Sequence, residues 1–121
     1  MIGYVTIGTA DMEKAKAFYV TLLEDLGASV LMDIGRFAAI GAPGGPMLAV
    51  CTPYNEEAPN PGNGNMVAIS PGSTEMVDKL YAKALELGGT DEGEPGQRMD
   101  GFYGAYFRDP DGNKMCFFHM G

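Results

Sequence analysis

Residues 5–28 read VTIGTADMEKAKAFYVTLLEDLGA, and residues 67–90 read VAISPGSTEMVDKLYAKALELGGT. The two stretches align without a gap. Val5 meets Val67, Ile7 meets Ile69 and Tyr19 meets Tyr81. Leu23, Glu24 and Gly27 then meet Leu85, Glu86 and Gly89, and Phe18 meets the similar Leu80. Identities at this density imply a tandem duplication. Each copy opens on a short strand, 4–9 and 66–70. Val5 and Ile7 share one face, with Tyr4 and Thr6 on the other; Val67 and Ile69 likewise oppose Met66 and Ala68. A helix follows in each copy. Asp11 suits the first N-cap, and Met12, Ala15, Tyr19, Leu22 and Leu26 step by three and four, widened by Phe18 and Leu23. In the second copy Ser73 or Thr74 caps, and Val77, Leu80, Tyr81, Ala84 and Leu85 form the stripe. Gly27 and Gly88-Gly89 mark the helix ends.

Strand patterns follow each helix: Val30–Asp33, Arg36–Gly41 and Met47–Thr52, then Phe102–Arg108 and Lys114–Met120. The last two flank RDPDGN (108–113), in which Pro110 fixes φ, Asp109 and Asp111 bond back to the backbone and Gly112 accepts positive φ. They form a β-hairpin. The stretch PYNEEAPNPGNGN (53–65) reads as a linker. The expectation is one α+β domain over 1–121, made of two βαβββ modules, 1–52 and 66–121. Each sheet carries a helix on one face, so its other face must cover something else. Two such curved mixed sheets can enclose a cavity.

The chain has 121 residues, enough for one domain with a real core. Its 18 Gly and 8 Pro lie between apolar runs and imply tight turns. The formal charge of −8 argues against nucleic acid and anionic membrane surfaces as partners, and mildly favours a cationic or neutral ligand. No apolar run approaches a membrane span, and the first residues enter a strand pattern without a basic leader, so a cytoplasmic location is expected. Cys51 and Cys116 lie in apolar strand patterns and read as reduced thiols. No Cys/His cluster suggests zinc. GNG (62–64) and EPGQ (94–97) lack the strand-to-helix setting of a phosphate loop.

The stretches VTIGTADMEKAKAFY (5–19), GNGNMVAI (62–69), LGGTDEGEPGQR (87–98) and FYGAYFRDPDGNKM (102–115) together resemble the glyoxalase / bleomycin-resistance / extradiol-dioxygenase superfamily, the vicinal oxygen chelate proteins. The resemblance spans nearly the whole chain. It implies the paired βαβββ fold and a dimer. In metal-dependent members it also implies a divalent cation held by His or Gln from the first strand of each copy and Glu from the last. Those ligands do not carry over. The first-strand positions are Tyr4 and Met66. The last-strand positions are Leu48, if Met47 matches Met115, and Cys116. None is a histidine or carboxylate, and Met and Cys suit hard cations poorly. No metal or other cofactor is expected. His119, the only histidine, sides with Met115 and Phe117 toward the helix.

By alternation the cavity wall comprises Tyr4, Thr6, Leu48, Val50, Met66, Ala68, Cys116 and Phe118. Arg98, on the loop after the second helix, and Tyr103 are added as polar ligand-binding candidates, with Arg36 behind them. Cys116 and Tyr4 are the catalytic candidates. A nucleophilic Cys116 needs a base or a cation to form thiolate, and Lys114 lies two residues away on the same strand face. Three readings stand open. One is a metal-free protein binding a small molecule in an apolar cavity. Another is a glyoxalase-like lyase or isomerase of the lactoylglutathione lyase class. The third is a dimeric structural module without a ligand.

Overall fold

A computed structural model describes all 121 residues, Met1–Gly121. Module one runs β1 (Tyr4–Gly8), α1 (Met12–Leu23), β2 (Ser29–Asp33), β3 (Phe37–Gly41) and β4 (Met47–Cys51). Module two runs β5 (Val67–Ile69), α2 (Thr74–Glu86), β6 (Thr90–Met99), β7 (Phe102–Arg108) and β8 (Lys114–Met120). Each module holds one four-stranded mixed sheet, ordered β1-β4-β3-β2 and β5-β8-β7-β6. The first and last strands of each module pair in parallel and the others antiparallel. The identical order is the structural counterpart of the sequence repeat.

The helices form where capping and periodicity place them. Asp11 accepts from the Lys14 N–H at 3.1 Å and Ser73 from the Met76 N–H at 3.2 Å, each satisfying a donor that the first helical turn leaves free. The buried faces are Ala15, Phe18, Tyr19, Leu22 and Leu23 on α1, and Val77, Leu80, Tyr81 and Ala84 on α2. They cover Ala38, Ile40, Leu48 and Val50 in module one, and Ala105, Phe107, Met115 and Phe117 in module two, all buried. On β2 a register shift between Val30 and Met32 sets Asp33 opposite Ala38, on the helix side, where Lys16 of α1 meets it at 2.9 Å. The β7–β8 loop is closed by Asp109, whose Oδ1 accepts the N–H of Asp111 and of Asn113, both at 2.9 Å.

Three expectations are corrected. First, β6 is a strand of 10 residues, where the sequence suggested a loop. Its Gly93, Pro95 and Gly96 hide the alternation, and it pairs with β7 through repeated register shifts. Proline is tolerated because β6 is an edge strand. Second, β5 starts at Val67, so Met66 lies just before it. Third, residues 53–61 do not stand apart: the chain divides into Met1–Pro61 and Gly62–Gly121. The Arg36 guanidinium ties this segment down by donating to the carbonyls of Pro53 and Tyr54, at 2.9 and 3.2 Å.

Candidate functional site

The face of module one turned away from α1 is hollow, and the strand register explains why. Thr6, Ala49 and Ala39 lie side by side across β1, β4 and β3. The rows on either side carry Tyr4 and Met47, then Cys51 and Phe37. A row of small side chains between two rows of large ones leaves a depression. It opens as a pocket of about 520 Å³ lined by Tyr4, Met32, Ile34, Arg36, Phe37, Ala39, Met47, Cys51, Thr52 and Tyr54. Tyr4 meets Phe37 edge-to-face, with centroids 5.8 Å apart. Arg36 is the only charged lining residue, and its guanidinium lies 5.6 Å from the Tyr54 ring centroid. The Cys51 thiol is raised above its ordinary pKa by burial, against the opposing field of Arg36.

The corresponding face of module two carries Ala68, Cys116 and Tyr106 in one row, with Gly104 and Phe118 in the next. Phe118 stacks on Phe102 at 5.6 Å and 5°. Cys116 is fully buried in this row. Burial pushes its thiol up, and this outweighs the Ala105 hydrogen bond and the fields of Arg98 and Lys114. It is therefore a protonated core thiol near neutral pH, which disfavours it as a nucleophile. Arg98 lies on β6, its guanidinium 5.2 Å from the Tyr106 ring centroid. Lys114 approaches the same ring, at 5.6 Å.

The structure thus places Tyr4 and Thr6 on the open face of module one, and Ala68, Arg98, Cys116 and Phe118 on that of module two. Met66 is exposed at the start of β5. Leu48 and Val50 are not on the open face. Leu48 pairs with Val5, Val50 pairs with Ile7, and the Tyr4 face takes Met47 and Cys51 instead. Matching Met47 to Met115 was one residue out of step. Val67 pairs with Met115 and its equivalent Val5 pairs with Leu48, so Ala49 is the counterpart of Cys116. Strand period makes such a slip invert the whole face. Tyr103 also turns the other way: its hydroxyl donates to Asp78 of α2 at 2.6 Å, and it pairs with His119. Sequence reasoning missed Phe37, Met47, Cys51 and Tyr106. Once the register of β3, β4 and β7 is known, alternation finds all four.

The donor set does not fit a divalent metal. The positions that the resemblance points to offer a phenol, a thioether and a buried protonated thiol, with Ala49 giving nothing. No three His, Cys, Asp or Glu side chains converge anywhere in the structure.

Two capped βαβββ modules, each with an open sheet face, define the class of paired-module proteins. Residues 1–117 match the Glyoxalase/Bleomycin resistance protein/Dioxygenase superfamily, and the chain belongs to it. Among solved structures, a glyoxalase/bleomycin resistance protein from Albidiferax ferrireducens T118 is 35% identical, with a TM-score of 0.91, covering 100% of this chain and 99% of that one. A superfamily member from Sphaerobacter thermophilus is 26% identical, with a TM-score of 0.68 and coverage of 98% and 95%. A family enzyme from Burkholderia phytofirmans PsJN shares the fold at 20% identity, with a TM-score of 0.80 and coverage of 98% of each chain. No curated protein matches the chain in sequence. No helix is long and apolar enough to cross a membrane.

Proposed function

We propose that this chain is a metal-independent binding member of the superfamily that takes a flat apolar or aromatic small molecule in the hollow of module one. The observation that carries this reading is the hollow itself. Its volume of about 520 Å³ suits a small organic ligand, and its wall is apolar apart from a few polar groups. Apolar burial supplies the affinity, and the exposed edge of Tyr4 against Phe37 favours an aromatic partner. The wall holds no histidine or carboxylate to move a proton. That favours binding over a lyase or isomerase reaction, and over a purely structural module the open hollow is the favouring feature. A homodimer belongs to this proposal. Ile2, Leu31 and Ile34 are exposed, and a second copy covering such surface should bury more than about 1,000 Å².

The test combines elemental analysis of untagged protein with a fluorescence titration of N-phenyl-1-naphthylamine, an uncharged aromatic probe. Saturable binding that survives exhaustive chelation, with no stoichiometric metal, is the expected result. One tightly held divalent ion per chain, released by changing Tyr4 or Cys116, would overturn the metal-independent reading. Absence of saturable probe binding would overturn the ligand reading.

A further inference from the structure

The chain carries 8 basic and 16 acidic side chains, so a basic group easily finds a carboxylate. Lys16 pairs with Glu13 and Asp33, and Arg108 pairs with Glu92. Arg98 and Lys114, like Lys14 and Arg36, form no ion pair. Arg98 and Lys114 instead converge on one aromatic ring, Tyr106, on the open face of module two. The only hydrogen-bond partner of the Arg98 guanidinium is a neutral one, the Glu94 carbonyl, reached from Nη2.

The backbone is shaped to hold Arg98 there. A Cβ at Gly96 would lie 2.9 Å from Arg98 Nη1, and one at Gly93 would lie 3.2 Å from Nη2 and 2.9 Å from Tyr106 Cδ2. The guanidinium therefore rests over two glycines of its own strand, pressed toward the Tyr106 ring. Any side chain at either position would displace it. Each cation keeps donors free for an anion, and a guanidinium fork donates two parallel hydrogen bonds to a carboxylate.

We propose that the open face of module two binds a small aromatic carboxylate, its anionic group held by Arg98 and Lys114 and its ring against Phe118 and Phe102. Charge complementarity selects the anion. The stacked Phe118 and Phe102 rings lie on the same face, in the row of Gly104 next to that of Tyr106, and supply the apolar half. The proposal draws on residues of module two alone and stands or falls independently of the hollow of module one. It also departs from the expectation, drawn from net charge alone, of a cationic or neutral ligand: the overall charge is negative, but two cations meet at one ring on this face.

Benzoate titrated into the full ¹⁵N-labelled chain tests this, with benzyl alcohol as the neutral control. Benzoate should saturate, shifting the Arg98 side-chain Nε–H and the amides of Gly93, Gly96 and Gly104, while benzyl alcohol binds at least about tenfold more weakly. Arg98→Gln and Lys114→Gln should each weaken benzoate at least about fivefold. Gly96→Ala, which keeps the charge and moves the guanidinium, should weaken it too. Lys14→Gln, which removes a cation on α1, should not. Equal binding of the two probes, or equal loss in Lys14→Gln, would overturn the proposal by showing no charge-specific site. So would loss of self-association in Arg98→Gln without any change in benzoate affinity, which would assign the pair to acidic groups of a second copy.

Discussion

Replacing Ala39 by leucine should close the hollow of module one and abolish most of its affinity for an apolar probe. Ala39 lies at the centre of the depression, beside Ala49 and Thr6 in the row of small side chains. It lines the pocket directly. Leucine brings three more carbons, and they extend into the space a ligand would fill. Each buried CH₂ that the ligand gives up is worth about 0.8 kcal/mol, so the loss is about 2.4 kcal/mol, or roughly 60-fold in Kd. Ala39 is only 1% exposed, so the leucine also presses on the side chains that cover it, at a cost to folding of about 1–3 kcal/mol that lowers the melting temperature without unfolding the chain at 25 °C. The assay is N-phenyl-1-naphthylamine fluorescence on both proteins, with circular dichroism as the control for folding. If the variant is folded and binds the probe within about threefold of the parent, the hollow is not the binding place and the reasoning fails.

Two further outcomes follow from the site geometry. Tyr81, buried on α2 and donating to Asp91 at 2.7 Å, has its pKa pushed up to about 12 by burial and by that carboxylate. Below about pH 10, the ordinary tyrosine value, the phenol is protonated both folded and unfolded, and its contribution to stability is complete. Above that pH the unfolded chain sheds the proton first, so the contribution fades as pH rises through about 12. Denaturant titrations across this range should show the decline in the parent and a shallower one in Tyr81→Phe; parallel curves would contradict the assignment. The thiols should also separate kinetically. Cys51 is partly exposed and Cys116 buried, so a disulfide exchange reagent should label Cys51 in the folded chain and Cys116 only on unfolding. Rapid labelling of Cys116 in Cys51→Ser would revive the case for a reactive thiol there.

The duplication, both helices, their capping residues and the terminal hairpin were legible in the sequence because each is a local signal. Asp11 and Ser73 cap by reaching a backbone N–H three residues on, and Asp109 closes a loop of its own neighbours. Amphipathic period located the helix cores to within a residue or two. Which strand residues face which way was harder, and β4 shows the physical reason. Met47, Leu48, Ala49, Val50 and Cys51 are apolar on both faces, so alternation carries no sign. Only pairing with β1 fixes that Met47 and Cys51 join Tyr4 while Leu48 and Val50 go to the helix. The same holds for Tyr103, whose side is decided by Asp78 on a helix 25 residues away in sequence. Arg98 and Lys114 are 16 residues apart and carry no shared motif; the pairing of β6 and β8 with β7 brings them to one ring. Local hydrogen bonds and periodicity belong to the sequence, whereas the sign of a sheet face and the meeting of distant charges are set by register, which exists only once the strands have paired.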